Sequence, residues 1–131
     1  MTTTTHKSID RRPVPDMPSK SCVSVYRLPG GGGFLWGVAT ARDLSLDMPD
    51  QARDAMAVID GYLQDHGLER KDIVKCEVVT TDHDRKPEFD AVWQEWMPEG
   101  YGPVRSFVES KMPEGDLVEL IITAALHTDE A

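Results

Sequence analysis

Leu117-Val-Glu-Leu-Ile-Ile-Thr-Ala-Ala-Leu126 is the stretch on which the fold turns. Side chains alternate between the two faces of a strand, so Val118, Leu120, Ile122 and Ala124 share one face while Leu117, Glu119, Ile121 and Thr123 share the other. Both faces are largely apolar. Just upstream, residues 104–109 read as a companion strand, separated from the first by the turn Met112-Pro-Glu-Gly-Asp. A strand that is apolar on both sides must be covered on both sides.

Working back along the chain, Phe89, Val92, Trp93 and Trp96 recur at helical spacing behind Pro87, and the two tryptophans are expected in the core. A second helix is marked by Asp47 as its cap, by Pro49 and Asp50 in its first turn, and by Ala52, Ala55, Met56, Ile59 and Leu63; Gly67 stops it. Between the helices, residues 72–81 form a strand. Residues 21–28 and 34–39 form a hairpin around Gly30 to Gly33. These glycines lack the Lys-Ser/Thr of a phosphate-binding loop and lead into a strand, so they read as a turn. The order is ββαβαββ, which places the chain in the α+β class, with two helices packed on one face of a sheet. The helices leave the second face of residues 117–126 bare. It is expected to be buried against another subunit.

Residues 1–20 hold a threonine run and Pro13, Pro15 and Pro18, and are expected to be a flexible N-terminal tail. The single domain is expected over residues 21–127, with a short C-terminal tail at 128–131. The N-terminal segment has no apolar core of a signal peptide, which makes the cytoplasm the expected location, and no apolar run is long enough to span a membrane. A net charge of -9 opposes phosphate backbones and argues against nucleic-acid binding. Cys22 and Cys76 form no CxxC pair and read as small buried hydrophobes, and His6, His66, His83 and His127 are too scattered for a metal site.

Several segments, in order and at nearly constant spacing, resemble the RidA/YjgF family of enamine and imine deaminases over residues 21–125. Phe34-Leu-Trp-Gly37 stands where that family has a strand ending in Ser-Gly. Gln51-Ala-Arg-Asp-Ala-Met-Ala-Val-Ile59 is similar to its Gln-x-x-x-x-Leu-x-Asn-Ile helix, and Lys71-Asp-Ile-Val-Lys75 with Asp82 is similar to the strand and turn between its helices. Gly102-Pro-Val-Arg-Ser106, Met112-Pro113 and Asp116-Leu-Val-Glu-Leu120 resemble its Pro-Ala-Arg-Ser/Thr, Leu-Pro and Val-Glu-Ile segments.

The resemblance implies a chorismate-mutase-like homotrimer whose sheets face a threefold axis, with small-molecule clefts between subunits and no cofactor. It implies that Arg105 binds the carboxylate of a 2-imino or 2-aminoacrylate acid. A planar, permanently charged guanidinium suits that role. It also implies that Glu119 handles water and proton as the imine becomes a keto acid and ammonia. A Glu in an apolar strand face points to a raised pKa or to an ion-pair partner. The same correspondence puts Trp36, Gly37 and Phe107 at the substrate. Trp36 replaces the family's small serine, Phe107 stands at a position that is often Cys, and the family's tyrosine before the first strand has no counterpart among Ser19, Lys20 and Ser21. Two functions are therefore expected to compete. One is an imine or enamine hydrolase, and the other is a trimer that binds a small carboxylate without turning it over.

Overall fold

The computed structural model describes residues 4–6 and 8–128. Its strands are β1 (Thr4–His6), β2 (Ile9–Val14), β3 (Met17–Arg27), β4 (Gly33–Thr40), β5 (Ile73–Thr80), β6 (Val104–Glu109) and β7 (Val118–Ala125), with helices α1 (Met48–Asp65) and α2 (Lys86–Trp96). They form one seven-stranded sheet in the order β1-β2-β3-β4-β7-β5-β6. Only β5 and β6 run parallel, joined by the crossover through α2; the remaining pairs are antiparallel. From β3 onward this is the expected ββαβαββ order, a mixed sheet with both helices on one face.

The core lies between that face and the helices. Val118, Leu120, Ile122 and Ala124 of β7 are fully buried there, with Leu35 of β4, Cys76 and Val78 of β5, and the helical residues Met56, Ile59, Phe89 and Val92. Trp93 and Trp96 are core residues as expected. The Trp96 indole donates to Asp60 of α1, and Arg70 also donates two hydrogen bonds of 2.8 Å to Asp60, so one carboxylate ties the helices together. Asp47 stands at the expected cap position, but its carboxylate accepts from Arg85 instead of capping α1.

The expected tail of residues 1–20 is corrected where it is described. β1 and β2 extend the sheet, and β3 begins at Met17. Prolines exclude a helix but leave an outer strand available, and Pro13 sits at the register shift in the β2–β3 pairing. Arg12 of β2 stacks over the Tyr62 ring and pairs with Asp65, and Arg27 pairs with Asp10. At the other end Thr128 bridges to Gly31, so the first residue of the expected C-terminal tail is still paired, to the turn between β3 and β4. Residues 1–3, 7 and 129–131 lie outside the described residues.

On the far face of the sheet Tyr26, Phe34, Trp36, Val104 and Val108 remain exposed. Gly33 needs its glycine, since it has φ 125° and a Cβ would collide with the Tyr26 carbonyl. Gly37 needs it for packing, because a Cβ there would lie 2.9 Å from Cδ2 of Tyr62. Gly37→Ala is therefore expected to cost about 1–3 kcal/mol by overpacking, read as a lowered Tm in thermal unfolding. An unchanged Tm would show that Tyr62 moves aside freely.

Candidate functional site

Two constellations, on opposite faces of the sheet, contain Arg105 and Phe107 on one side and Glu119 on the other. The first gathers at β6. Arg105 and Phe107 point to the helix face, where Arg105 lies over the rings of Phe89 and Trp93 at 5.4 and 5.2 Å from their centroids. Its Nη2 donates to Asp90 Oδ1 at 2.6 Å, and Lys86 Nζ donates to the other oxygen at 2.8 Å. Burial works against the Asp90 charge, but the hydrogen bonds from Lys86 and Arg105 outweigh it and hold the carboxyl below its usual range. Phe107 packs edge-on against His83 and tilted on Phe89, both at 5.3 Å. Nearby, burial pushes the Cys76 thiol up to about 12, which makes it an inert core residue as expected.

The second constellation surrounds Glu119 on the far face, where its neighbours in register are Thr40 and Val79. β3 pairs with β4 only from Val23–Gly37 to Arg27–Gly33, so the end of β4 has no β3 partner. A cleft of about 810 Å3 opens in that gap, bordered by Glu119, Thr40, Asp116, Lys20 and Lys111, with Tyr62 and Cys22 at its inner end. The Tyr62 hydroxyl donates to the carbonyl of Val38, satisfying an acceptor that β3 leaves open. Cys22 is half-buried, with its Sγ 3.4 Å from the Arg12 carbonyl, rather than fully buried as expected. Glu119 forms no hydrogen bond or ion pair with a described residue. Burial, reinforced by Asp116, raises its pKa, and Lys20 opposes the shift.

The structure thus brings Arg105 and Phe107 together and separates both from Glu119. Arg105 and Ile122 flank Cys76 in register, and Glu119 lies three residues from Ile122, so the odd spacing sends its side chain to the other face. Trp36 shares the face of Glu119 but pairs with Thr123, four residues away, or about 13 Å along the strand. Gly37 faces the helices beneath Tyr62, away from the Glu119 cleft's far-face opening. Asp90, Lys86 and Lys20 were not singled out from the sequence. Asp90 and Lys86 read only as polar positions of an amphipathic helix, and Lys20 fell within the expected tail. Among the described residues, no group of three or more His, Cys, Asp or Glu is placed to hold a metal, and no helix is long and apolar enough to cross a membrane.

The family model described as Endoribonuclease L-PSP matches residues 37–126, a span that takes in Arg105, Phe107 and Glu119 and begins one residue after Trp36. A RutC family protein of Haemophilus ducreyi is 27% identical over 86 residues, 65% of this chain and 74% of its own. Among solved structures, an uncharacterized protein from Pseudomonas aeruginosa is 26% identical with a TM-score of 0.78, covering 91% of this chain and 99% of its own. A member of the YjgF protein family from Neisseria meningitidis is 23% identical with a TM-score of 0.75, covering 92% and 96%. With the family match spanning more than half of its length and the same fold in these neighbours, the chain belongs to the endoribonuclease L-PSP family, the RidA/YjgF family.

Proposed function

We propose that this protein is a cofactor-independent deaminase that hydrolyses reactive 2-imino and 2-aminoacrylate acids to keto acids and ammonia, at clefts shared between the subunits of a homotrimer. The observation that carries the reading is Glu119, a half-buried carboxyl with a raised pKa and no partner among the described residues, facing an open cleft. A carboxyl group whose pKa burial raises, facing an open cleft, is suited to give and take a proton. Water adds to the C2 carbon of the imine and Glu119 passes one of its protons to the nitrogen; the hydroxyl of the resulting carbinolamine then gives up its proton, again by way of Glu119, to the nitrogen as the C–N bond breaks, leaving the keto carbonyl and ammonia. No electron acceptor or activated group is needed.

The substrate's carboxylate is assigned to Arg105. Arg105 and Glu119 of one chain stand on opposite faces, so in this reading a site pairs Arg105 of one subunit with Glu119 of the next. Asp90 engages one N–H of the guanidinium, and four donors remain. With Lys86 beside them, the cluster keeps a net positive charge. In this reading Phe107 meets the substrate's side chain next to Arg105, and Trp36 lies at the subunit contact. The net charge of -9 argues against an RNA substrate, despite the family's descriptive name. A second reading, capture of a small carboxylate without turnover, is favoured by the Trp36 ring, which stands 40% exposed beside Phe34 and offers a stacking surface.

The trimer is expected to bury the exposed apolar face that bears Ile121 between Glu119 and Thr123. Light scattering should give a trimer at micromolar concentration, and Ile121→Asp should dissociate it. A monomeric wild type would remove the shared site. Arg105→Lys keeps the charge but not the planar fork, and is expected to weaken 2-oxobutanoate binding by about tenfold to a hundredfold in calorimetry, ~1.5–3 kcal/mol. Equal affinity would release Arg105 from the role of anchor.

Glu119→Gln should lower turnover of 2-iminobutanoate, generated in situ, by about 10²–10⁴-fold while binding survives. In a pure binder the wild type shows no acceleration over spontaneous hydrolysis. The same variant carries a stability signature. The folded state favours the protonated Glu119, so its contribution is complete below about pH 4 and fades as pH rises through the raised folded value. Glu119→Gln should thus match the wild type in Tm near pH 4 and exceed it at pH 8. A variant less stable at pH 8 would mean that Glu119 is held by an ion pair.

A further inference from the structure

Lys71, Lys75 and Lys86 each pair with a carboxylate, of Glu69, Glu77 and Asp90 respectively. The remaining described lysines, Lys20 and Lys111, have no hydrogen bond or ion pair with a described residue, and both border the Glu119 cleft. Arg42, on the same rim, already donates Nε–H and Nη2–H to Oδ1 of Asp54 and its backbone N–H to Oδ2. An acidic chain carrying -9 overall thus leaves the two described lysine ammonium groups that have no ion pair at one opening. Asp116 and Glu119 are the acidic groups on that lining, and Glu119 is shifted toward its neutral form. The cleft is less negative than the rest of the protein and can receive an anion.

That anion is distinct from the one assigned to Arg105. Arg105 lies on the other face of the sheet, and its planar fork suits the fixed geometry of a carboxylate next to the reacting carbon. Lysine ammonium groups are mobile point charges that tolerate variable geometry, which fits a charge at the flexible far end of a substrate. We propose that Lys20 and Lys111 select imino acids bearing a second carboxylate at the end of the side chain, so that the preferred substrates are 2-imino dicarboxylic acids. This rests on the deaminase reading for the placement of the reacting group, and on the Lys20–Lys111–Glu119 cleft for the selectivity.

The test uses the full-length protein with two keto acids that stand for the products, 2-oxobutanoate with one carboxylate and 2-oxoglutarate with two. Calorimetry at fixed ionic strength should show the wild type binding 2-oxoglutarate at least about tenfold more tightly. Replacing both Lys20 and Lys111 with Met should reduce affinity for 2-oxoglutarate at least about tenfold more than affinity for 2-oxobutanoate. Lys20→Arg, which keeps the charge, should retain the preference. Equal wild-type affinities, failure of 2-oxoglutarate to bind, or a preference that survives the double substitution each overturn the inference. Turnover separates it from the reading beneath it. Equal kcat/KM for 2-iminobutanoate and 2-iminoglutarate sinks the dicarboxylate preference and leaves the deaminase standing. A wild type that hydrolyses neither, yet shows lysine-dependent preference for 2-oxoglutarate, removes the deaminase and leaves the dicarboxylate site in place.

Discussion

β7 has a hydrogen-bonded neighbour along each edge, β4 and β5, so neither its register nor the direction of its side chains can change without unpairing the middle of the sheet. Of the candidate site residues, Glu119 is oriented directly by that strand. Its even-numbered residues from Val118 to Ala124 fill the core beneath the two helices, where they are fully buried. Its odd-numbered residues are forced onto the far face, and one of them is Glu119. A one-residue slip would bury the carboxylate under the helices and expose four apolar side chains. That combination costs far more than any local interaction could return.

The loops that frame Glu119 are fixed by a single buried side chain. Gln51, fully buried on α1, donates to the carbonyls of Leu46 and Gly115 at 3.1 and 2.9 Å and accepts from the backbone N–H of Leu117 at 3.0 Å. One amide thus joins the segment entering α1 to the turn entering β7. Asp116, which raises the Glu119 pKa, lies between two residues whose backbones Gln51 holds. With donors and acceptor all used, this amide contributes stability and also sets where the acidic pair sits. The resemblance that drew attention to Gln51 as the start of a helix motif thereby finds a physical reason for a glutamine at that point.

What was legible in the sequence followed from strong local periodicity. The two-faced pattern of residues 117–126, the helical stripes and the glycine turn each depend on residues close in the chain, and the structure repeats them nearly element for element. The segment before residue 21 was misread because β2 owes its place to pairing and to charge. Asp10 and Arg12 find Arg27 and Asp65 across the fold, and no apolar alternation announces a strand. The candidate site residues could be named from the sequence, but their arrangement could not be read from it. Arg105 and Glu119 could be picked out by motif, but their opposite orientation depends on β5 lying between β6 and β7 and on the residue offset through Cys76. Neither can be read before the sheet order is known.

In the proposed site, the Arg105–Asp90 contact bears on how a carboxylate would be received. A partly buried guanidinium without a counterion would be costly, and Asp90 offsets that cost at Arg105. Asp90 fills that role by a single hydrogen bond from Nη2, not by a two-point clasp, and Lys86 shares the charge. The aromatic faces of Phe89 and Trp93 hold the guanidinium plane whether or not a ligand is present. An anion arriving at Arg105 need not displace Asp90: it meets an oriented cation with free donors and a cluster that still carries one positive charge. The ion pair thus keeps the Arg105 guanidinium oriented and compensated within the protein, and in the proposed site it occupies one donor.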